Sequence, residues 1–104
     1  AEARLLSDPI EPVDLLASTI PAEATAPYAR QWADSAAALF DVVYDPWPTP
    51  VAVAARDAGR IALNGLDLLA GQAVDQFYLL TGRQVTLEAC RSAAEQELQR
   101  RQRL

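Results

Sequence analysis

The sequence predicts an α/β fold built on a parallel sheet, and two observations lead to that prediction. Between residues 13 and 64, short apolar runs of strand length alternate with segments of helical spacing, in the order strand, helix, strand, helix, strand. Strands that are separated by a crossover helix usually pair in parallel. Beyond residue 65 the pattern changes to two longer helices, which are expected to follow the sheet.

Three strands are predicted at residues 13–19, 37–44 and 60–64, and residues 2–6 are a fourth, weaker candidate. The runs VDLLAST and AALFDVVY are compact and apolar, which is typical of strands that are buried on both faces of a sheet. The sheet is therefore expected to contain three to four parallel strands with crossover helices.

The predicted helices begin and end at residues that favour those positions. Thr49 and Thr86 are suited to be N-caps, and Gly59 and Gly82 stand where helices commonly stop. A shorter helix of about two turns is expected within residues 27–34. These boundaries give two crossover helices and two C-terminal helices.

Composition excludes several classes of protein. The chain has 104 residues, of which 51% are hydrophobic, and this is enough for one packed domain. Its net charge of -5 disfavours a nucleic-acid partner, and no apolar stretch approaches the roughly 20 residues of a membrane span. Since Cys90 is the only cysteine, no internal disulfide can form, and a cytoplasmic location is the simplest expectation.

The absence of certain residue types limits the chemistry further. The sequence contains no histidine, so neither a Ser-His-Asp triad nor a histidine metal site can be built from this chain, and no metal is expected. It also lacks the glycine-rich turn that opens a dinucleotide-binding sheet. The chain is therefore interpreted as the second half of a Rossmann-like domain.

Three blocks of the sequence resemble a known family. They are VDLLASTIP, DVVYDPWPTP and NGLDLLAGQAVDQFYLLTG, which span about residues 13 to 82. In this order and spacing they are similar to the C-terminal part of shikimate dehydrogenase, particularly its actinobacterial form. The resemblance implies that residues 1–65 are the C-terminal half of the NADP-binding domain. Residues 66–104 would then be helices that pack back on a substrate domain.

The resemblance implies an oxidoreductase that interconverts 3-dehydroshikimate and shikimate with NADP(H), a step of aromatic amino-acid biosynthesis. The family's catalytic Lys and Asp lie upstream of these blocks, and this chain contains no lysine at all. No catalytic residue is therefore expected here, and the chain alone should be inactive. NADP is expected as the cofactor of the complete enzyme.

Two residues are implied to bind the substrate. Gln72 would hydrogen-bond a hydroxyl group of shikimate, and Tyr44 would lie at the substrate beside the nicotinamide. In this interpretation the second strand delivers Tyr44 to the carboxyl edge of the sheet, and the proline-rich turn after it holds that edge rigid. Without the resemblance, Tyr44 would be interpreted as an aromatic at the edge of the core and Gln72 as a surface residue.

Four further residues are implied to contact the cofactor. The carbonyl group of Gly65 would meet the nicotinamide carboxamide, and Thr19 and Val42 would line the cofactor cleft. Leu68 stands where the family has Met, which keeps an apolar contact with the nicotinamide but removes the sulfur. Gly65 is equally compatible with a simple turn after a strand.

Two alternatives remain open from the sequence. The chain could be a stand-alone helical interaction module without catalysis, in which the C-terminal helices bind a partner helix. It could also be a relative that acts on quinate or shikimate. In the enzyme interpretation, helices that lack their substrate domain would expose an apolar face, so a homodimer is expected, with exchange of helices between the two copies as one form of it.

Overall fold

A computed structural model describes residues 1–103 and divides the chain into two compact units, with the boundary between Asn64 and Gly65. The first unit contains the sheet and the second contains two helices. The elements are β1 (Val13–Ser18), α1 (Ala22–Thr25), a 3-10 turn (Ala26–Tyr28), α2 (Ala29–Ser35), β2 (Ala36–Asp41), α3 (Pro50–Asp57), β3 (Ile61–Asn64), α4 (Gly65–Thr81) and α5 (Leu87–Gln102).

The sheet has three strands in the order β1-β2-β3, and both pairs are parallel. Leu39 in the central strand lies opposite Leu16 on one side and Ala62 on the other. A parallel ladder needs a crossover between successive strands, and the helices between β1 and β2 and between β2 and β3 provide it. The predicted α/β fold with a parallel sheet is confirmed.

The fourth strand candidate, residues 2–6, is wrong. The side chain of Asp8 accepts a hydrogen bond from the Leu5 amide at 3.0 Å, and the Asp8 amide donates to the Leu5 carbonyl at 3.1 Å. These bonds close a turn, and an aspartate that binds nearby backbone amides favours a turn over a ladder. No strand precedes β1 in the described residues.

The core of the first unit lies between one face of the sheet and the helices α2 and α3. Leu39 and Val51 are completely buried, and Trp32 is 6% exposed. Tyr28 stacks on Trp32 with ring centroids 5.6 Å apart. Because Leu39 stands in the central strand, its side chain is covered by both helices.

The opposite face of the sheet is open in the described chain. Leu15, Ile61 and Leu63 are 57%, 64% and 42% exposed. In β1 and β3 they alternate with the less exposed Leu16, Ser18, Ala62 and Asn64, as expected from the two-residue period of a strand. The prediction that the strands are buried on both faces is therefore wrong here, since α2 and α3 cover one face only.

The first crossover is longer than the predicted helix at residues 27–34. It begins at Ala22 and is interrupted by the 3-10 turn that contains Pro27. Proline lacks an amide donor, so it is tolerated in the first turn of a helix but not in its interior. The second crossover agrees with the prediction, because Thr49 caps α3 and Gly59 follows it with φ of 73°.

The second unit is a pair of helices that contact each other. Gly82, with φ of 70°, follows α4, and the Thr86 hydroxyl accepts a hydrogen bond from the Ala89 amide at 3.1 Å at the start of α5. Arg91 pairs with Asp67 from the other helix. The predicted boundaries of both helices are confirmed. No helix in residues 1–103 is long and apolar enough to span a membrane.

Candidate functional site

The carboxyl ends of the three strands carry a row of buried polar side chains. Ser18, Asp41 and Asn64 lie side by side in the sheet register and are 4%, 0% and 3% exposed. Polar groups are rarely buried without a specific reason, because they must give up their hydrogen bonds to water. Since open α/β sheets bind their ligands at this edge, the row marks the edge as the candidate site.

Asp41 in that row accepts two hydrogen bonds from later parts of the chain. Its Oδ1 accepts a hydrogen bond from the Val43 amide at 3.1 Å, and its Oδ2 accepts one from the Thr49 hydroxyl at 2.8 Å. The Thr49 hydroxyl also accepts from the Ala52 amide at 3.3 Å, which caps α3. One carboxyl group therefore links the end of β2 to the start of α3.

The strand β2 is shorter than the sequence predicts. It ends at Asp41, whereas the prediction extends it to Tyr44. The Asp41 side chain binds the Val43 amide, and an amide that is taken by a side chain two residues earlier is lost to the ladder. Tyr44 therefore lies in the loop after the strand, not in the strand itself, and is 37% exposed.

Two of the predicted cofactor residues lie next to each other at this edge. Thr19 and Val42 each follow the last residue of a strand, and the Val42 amide donates to the Ser18 carbonyl at 2.9 Å. Both side chains are exposed. The edge between β1 and β2 therefore offers one hydroxyl group and one apolar surface beside the loop that carries Tyr44.

Residues 42–48, which lie between Asp41 at the end of β2 and the cap residue Thr49 of α3, are here called the edge loop. Both its Asp45-Pro46 and Trp47-Pro48 peptide bonds are cis. The Arg56 guanidinium of α3 lies over the Trp47 ring, 5.5 Å from the centroid, which is within the range of a cation–π contact. The edge loop is thus attached to α3 at its far end as well.

The remaining predicted residues belong to the second unit. Gly65 is the first residue of α4 and follows the last residue of β3, while Leu68 and Gln72 come one and two turns later. Positions three and seven residues apart fall on the same side of a helix. The structure thus brings Gly65, Leu68 and Gln72 onto one side of α4, where Leu68 and Gln72 are exposed.

Sequence reasoning missed the bonds between Asp41 and Thr49. It treated Asp41 as a strand residue and Thr49 only as a helix cap. The two residues lie eight positions apart on either side of a proline-rich turn, and this spacing could have suggested a contact between them. Only the closed loop, however, brings the Thr49 hydroxyl and the Asp41 carboxyl within hydrogen-bond distance.

No metal site accompanies these residues. Among residues 1–103, no group of three or more Cys, Asp or Glu side chains is placed to hold a metal ion. Cys90 lies in α5 and is half-buried. The predicted site residues therefore provide hydroxyls, an amide, a phenol and apolar surfaces, which are suited to binding and orienting a ligand.

Comparisons with known proteins give a consistent result. A shikimate dehydrogenase (NADP(+)) from Pelodictyon phaeoclathratiforme is 39% identical over 61 residues, which are 59% of this chain and 22% of the relative. The crystal structure of Mycobacterium tuberculosis shikimate dehydrogenase matches 83% of this chain and 32% of its own, with 41% identity and a TM-score of 0.69. A shikimate 5-dehydrogenase from Mycobacterium fortuitum matches 77% and 30%, with 46% identity and a TM-score of 0.69.

No protein-family model matches the chain. The resemblance to shikimate dehydrogenase in the sequence is nevertheless confirmed by these relatives, as is the Rossmann-like α/β fold. The chain spans only about a fifth of the length of the first of these relatives, and about a third of the two solved structures.

Proposed function

We propose that this chain is the C-terminal part of an NADP(H)-dependent shikimate dehydrogenase, which interconverts 3-dehydroshikimate and shikimate. The similarity to enzymes of that name, at 39–46% identity, is the observation that supports it most strongly. Residues 1–65 would complete the cofactor domain, and residues 66–104 would pack back on a substrate domain. A relative that accepts quinate as well is a variant of the same proposal.

The exposed groups at the edge suit the nicotinamide end of the cofactor. Val42 offers an apolar surface for the ring, and the adjacent Thr19 hydroxyl can bond a ribose or amide group. We assign the same role to the Gly65 carbonyl and the Leu68 side chain in α4. When bound, NADP+ would supply the hydride acceptor for oxidation of the alcohol.

This chain would bind and orient its ligands, not move protons. Gln72 would hold a hydroxyl group of shikimate through its amide, and the Tyr44 phenol would fix the ring beside the nicotinamide. The sequence contains neither histidine nor lysine, and we assign no residue of this chain as the general base for the alcohol proton. We therefore expect the chain alone to be inactive, with Lys and Asp contributed by a region outside it.

The proposal is tested by NADP+-dependent oxidation of shikimate with the complete product of the gene. The decisive variant is Gln72→Ala, because alanine favours a helix and should not disturb α4. We expect kcat/KM for shikimate to fall by about 100-fold, since an unpaired polar group of the substrate costs about 1–3 kcal/mol.

Gln76→Ala is the matched control, because this residue is an exposed glutamine one turn later in the same helix. It should change kcat/KM by less than about twofold, in line with an exposed substitution. Absence of activity with shikimate and with quinate, using either nicotinamide cofactor, would refute the proposal.

A second proposal concerns self-association. Residues 77–80 in α4 are all apolar, and Leu79 and Leu80 are 81% and 85% exposed. Several large apolar side chains that are exposed close together often mark a contact with another chain. We propose that two copies of this chain form a homodimer through these side chains, in which α4 or α5 can be exchanged. The same surface would serve an interaction module if no enzyme activity is found.

A further inference from the structure

We propose that Asp41 is a positioning residue, which together with Thr49 holds the edge loop so that Tyr44 is presented at a fixed place beside the ends of β1 and β2. The proposal rests on the function proposed above, because it assigns Tyr44 to the substrate. It gives a task in ligand binding to the buried carboxyl group that links the end of β2 to the start of α3.

The first argument is the closure of the loop. Asp41 is the last residue of β2 and Thr49 immediately precedes α3, so the 2.8 Å bond between Oδ2 and the Thr49 hydroxyl joins the two ends of the edge loop. The bond from the Val43 amide to Oδ1 fixes the direction in which the chain leaves the strand. Tyr44 is the next residue along, so its backbone follows directly from that bond.

The second argument is burial. Asp41 is 0% exposed and Thr49 is 1% exposed, so water cannot replace either bond when it breaks. Hydrogen bonds are stronger in such surroundings, and a buried group left without its partner is costly. The joined state of the loop is therefore strongly preferred over an open one.

The third argument is that few other contacts fix the position of the Tyr44 side chain. Its side chain is 37% exposed, so core packing does not determine where the phenol lies. The edge loop around it is attached on both sides, through the Val42 amide to the Ser18 carbonyl and through Trp47 to Arg56. The position of the phenol thus depends on the backbone that Asp41 and Thr49 hold.

The two hydrogen bonds of the Asp41 side chain determine which substitutions test the proposal. In Asp41→Asn, one acceptor oxygen becomes an NH2 group, so the Val43 amide and the Thr49 hydroxyl can no longer both donate to this side chain. Thr49→Val keeps the shape but removes the hydroxyl, and Thr49→Ser restores it. Thr86→Val removes the equivalent cap bond of α5, away from the edge loop, and is the control.

The experiment is steady-state oxidation of shikimate by these variants of the complete gene product, combined with Tyr44→Ala. We expect Asp41→Asn and Thr49→Val to raise KM for shikimate and lower kcat, with a loss of at least tenfold in kcat/KM. Thr49→Ser should stay within threefold of the unmodified protein, and Thr86→Val within twofold.

A double-mutant cycle separates positioning from a loss of stability. If Asp41 acts through Tyr44, then Asp41→Asn should cost less than threefold in kcat/KM when Tyr44 is already alanine. If the two losses instead multiply, Asp41 does not act through Tyr44 and the proposal is overturned.

Hydrogen exchange provides a readout that needs no activity. In Asp41→Asn, the amides of residues 42–45 and 47 should exchange at least tenfold faster than in the unmodified protein, while Thr86→Val should leave them unchanged. An unmodified protein that is inactive on shikimate would remove the proposed function. Exchange that is unchanged in Asp41→Asn would remove the positioning proposal, whatever the activity is.

Discussion

Replacing Ser18 by alanine should stabilise the first unit, although it removes a polar residue from a polar row. The Ser18 hydroxyl is buried, with less than 1 Å² of its oxygen accessible, and no hydrogen-bond partner is found for it in the described residues. Its neighbours in the sheet register, Asp41 and Asn64, both have partners. Ser18 is therefore the member of the row whose desolvation is not compensated.

The magnitude follows from two opposing terms. Burying a hydroxyl group without a partner costs about 1–3 kcal/mol, which Ser18→Ala would recover. The removed oxygen leaves a void of roughly 10 to 15 Å³, which costs about 0.3 kcal/mol at 24 cal/mol per Å³. The net expectation is a stabilisation of about 1 to 2 kcal/mol, or a rise in Tm of about 4 °C or more for a unit of this size.

Urea unfolding followed by tryptophan fluorescence is the appropriate assay. Both tryptophans of the chain, Trp32 and Trp47, lie in the first unit, so the signal reports that unit alone. Ser35→Ala is the control, because the Ser35 hydroxyl donates to the Gln31 carbonyl at 2.9 Å. Loss of this satisfied bond should destabilise the unit by about 0.5–1 kcal/mol.

The opposite outcome has a clear meaning. If Ser18→Ala destabilises the first unit by about 1 kcal/mol or more, the reasoning from an unpaired hydroxyl is refuted. The hydroxyl would then have a partner, such as a water molecule in the apolar cavity of about 290 Å³ that Ser18 lines together with Leu16 and Trp32.

Three further predictions concern the core, the last helix and self-association. Leu39→Ala should destabilise the first unit by about 2–5 kcal/mol in the same fluorescence assay, because the side chain is fully buried in the central strand. Hydrogen bonds, first from Arg100 and then from Arg101, lower the pKa of Glu97 to about 2. Ionised Glu97 should therefore stabilise α5 at pH values above its ordinary pKa of 4.5. The helicity of α5, measured by NMR, should therefore decrease as the pH falls from about 4.5 to about 2. The Glu97→Gln variant should show no such decrease. Replacing Leu79 and Leu80 together by Gln should convert a dimer into a monomer by light scattering, and a monomeric unmodified chain would contradict the proposed dimer.

The sheet topology and the boundaries of α3, α4 and α5 were predictable because they depend on local chemistry. The hydroxyls of Thr49 and Thr86 cap the starts of α3 and α5. Gly59 and Gly82 adopt the positive φ that follows the ends of α3 and α4. The alternation of strand and helix patterns likewise predicted a parallel sheet, since the crossover dictates the direction of the next strand.

The end of β2 was not predictable from its residues. The run AALFDVVY has the composition of one strand, yet the strand stops at Asp41 because that side chain binds the Val43 amide. The other oxygen of the same side chain accepts from Thr49, which lies eight residues further along and reaches it only once the edge loop has closed. The pattern of hydrophobic residues gives no information about a hydrogen bond between residues that are eight positions apart.

The sequence by itself determined the α/β class, the parallel order, the ends of α3 and α4, the start of α5 and the resemblance to shikimate dehydrogenase. These properties reside in residues that are close together along the chain, where spacing and side-chain type suffice. Only the tertiary structure decided that one face of the sheet is open, that Ser18, Asp41 and Asn64 form a buried row, and that the Asp41 carboxyl accepts a hydrogen bond from Thr49 across the edge loop. Each of these depends on groups that are distant in sequence, and their burial and hydrogen bonds exist only after the chain has folded.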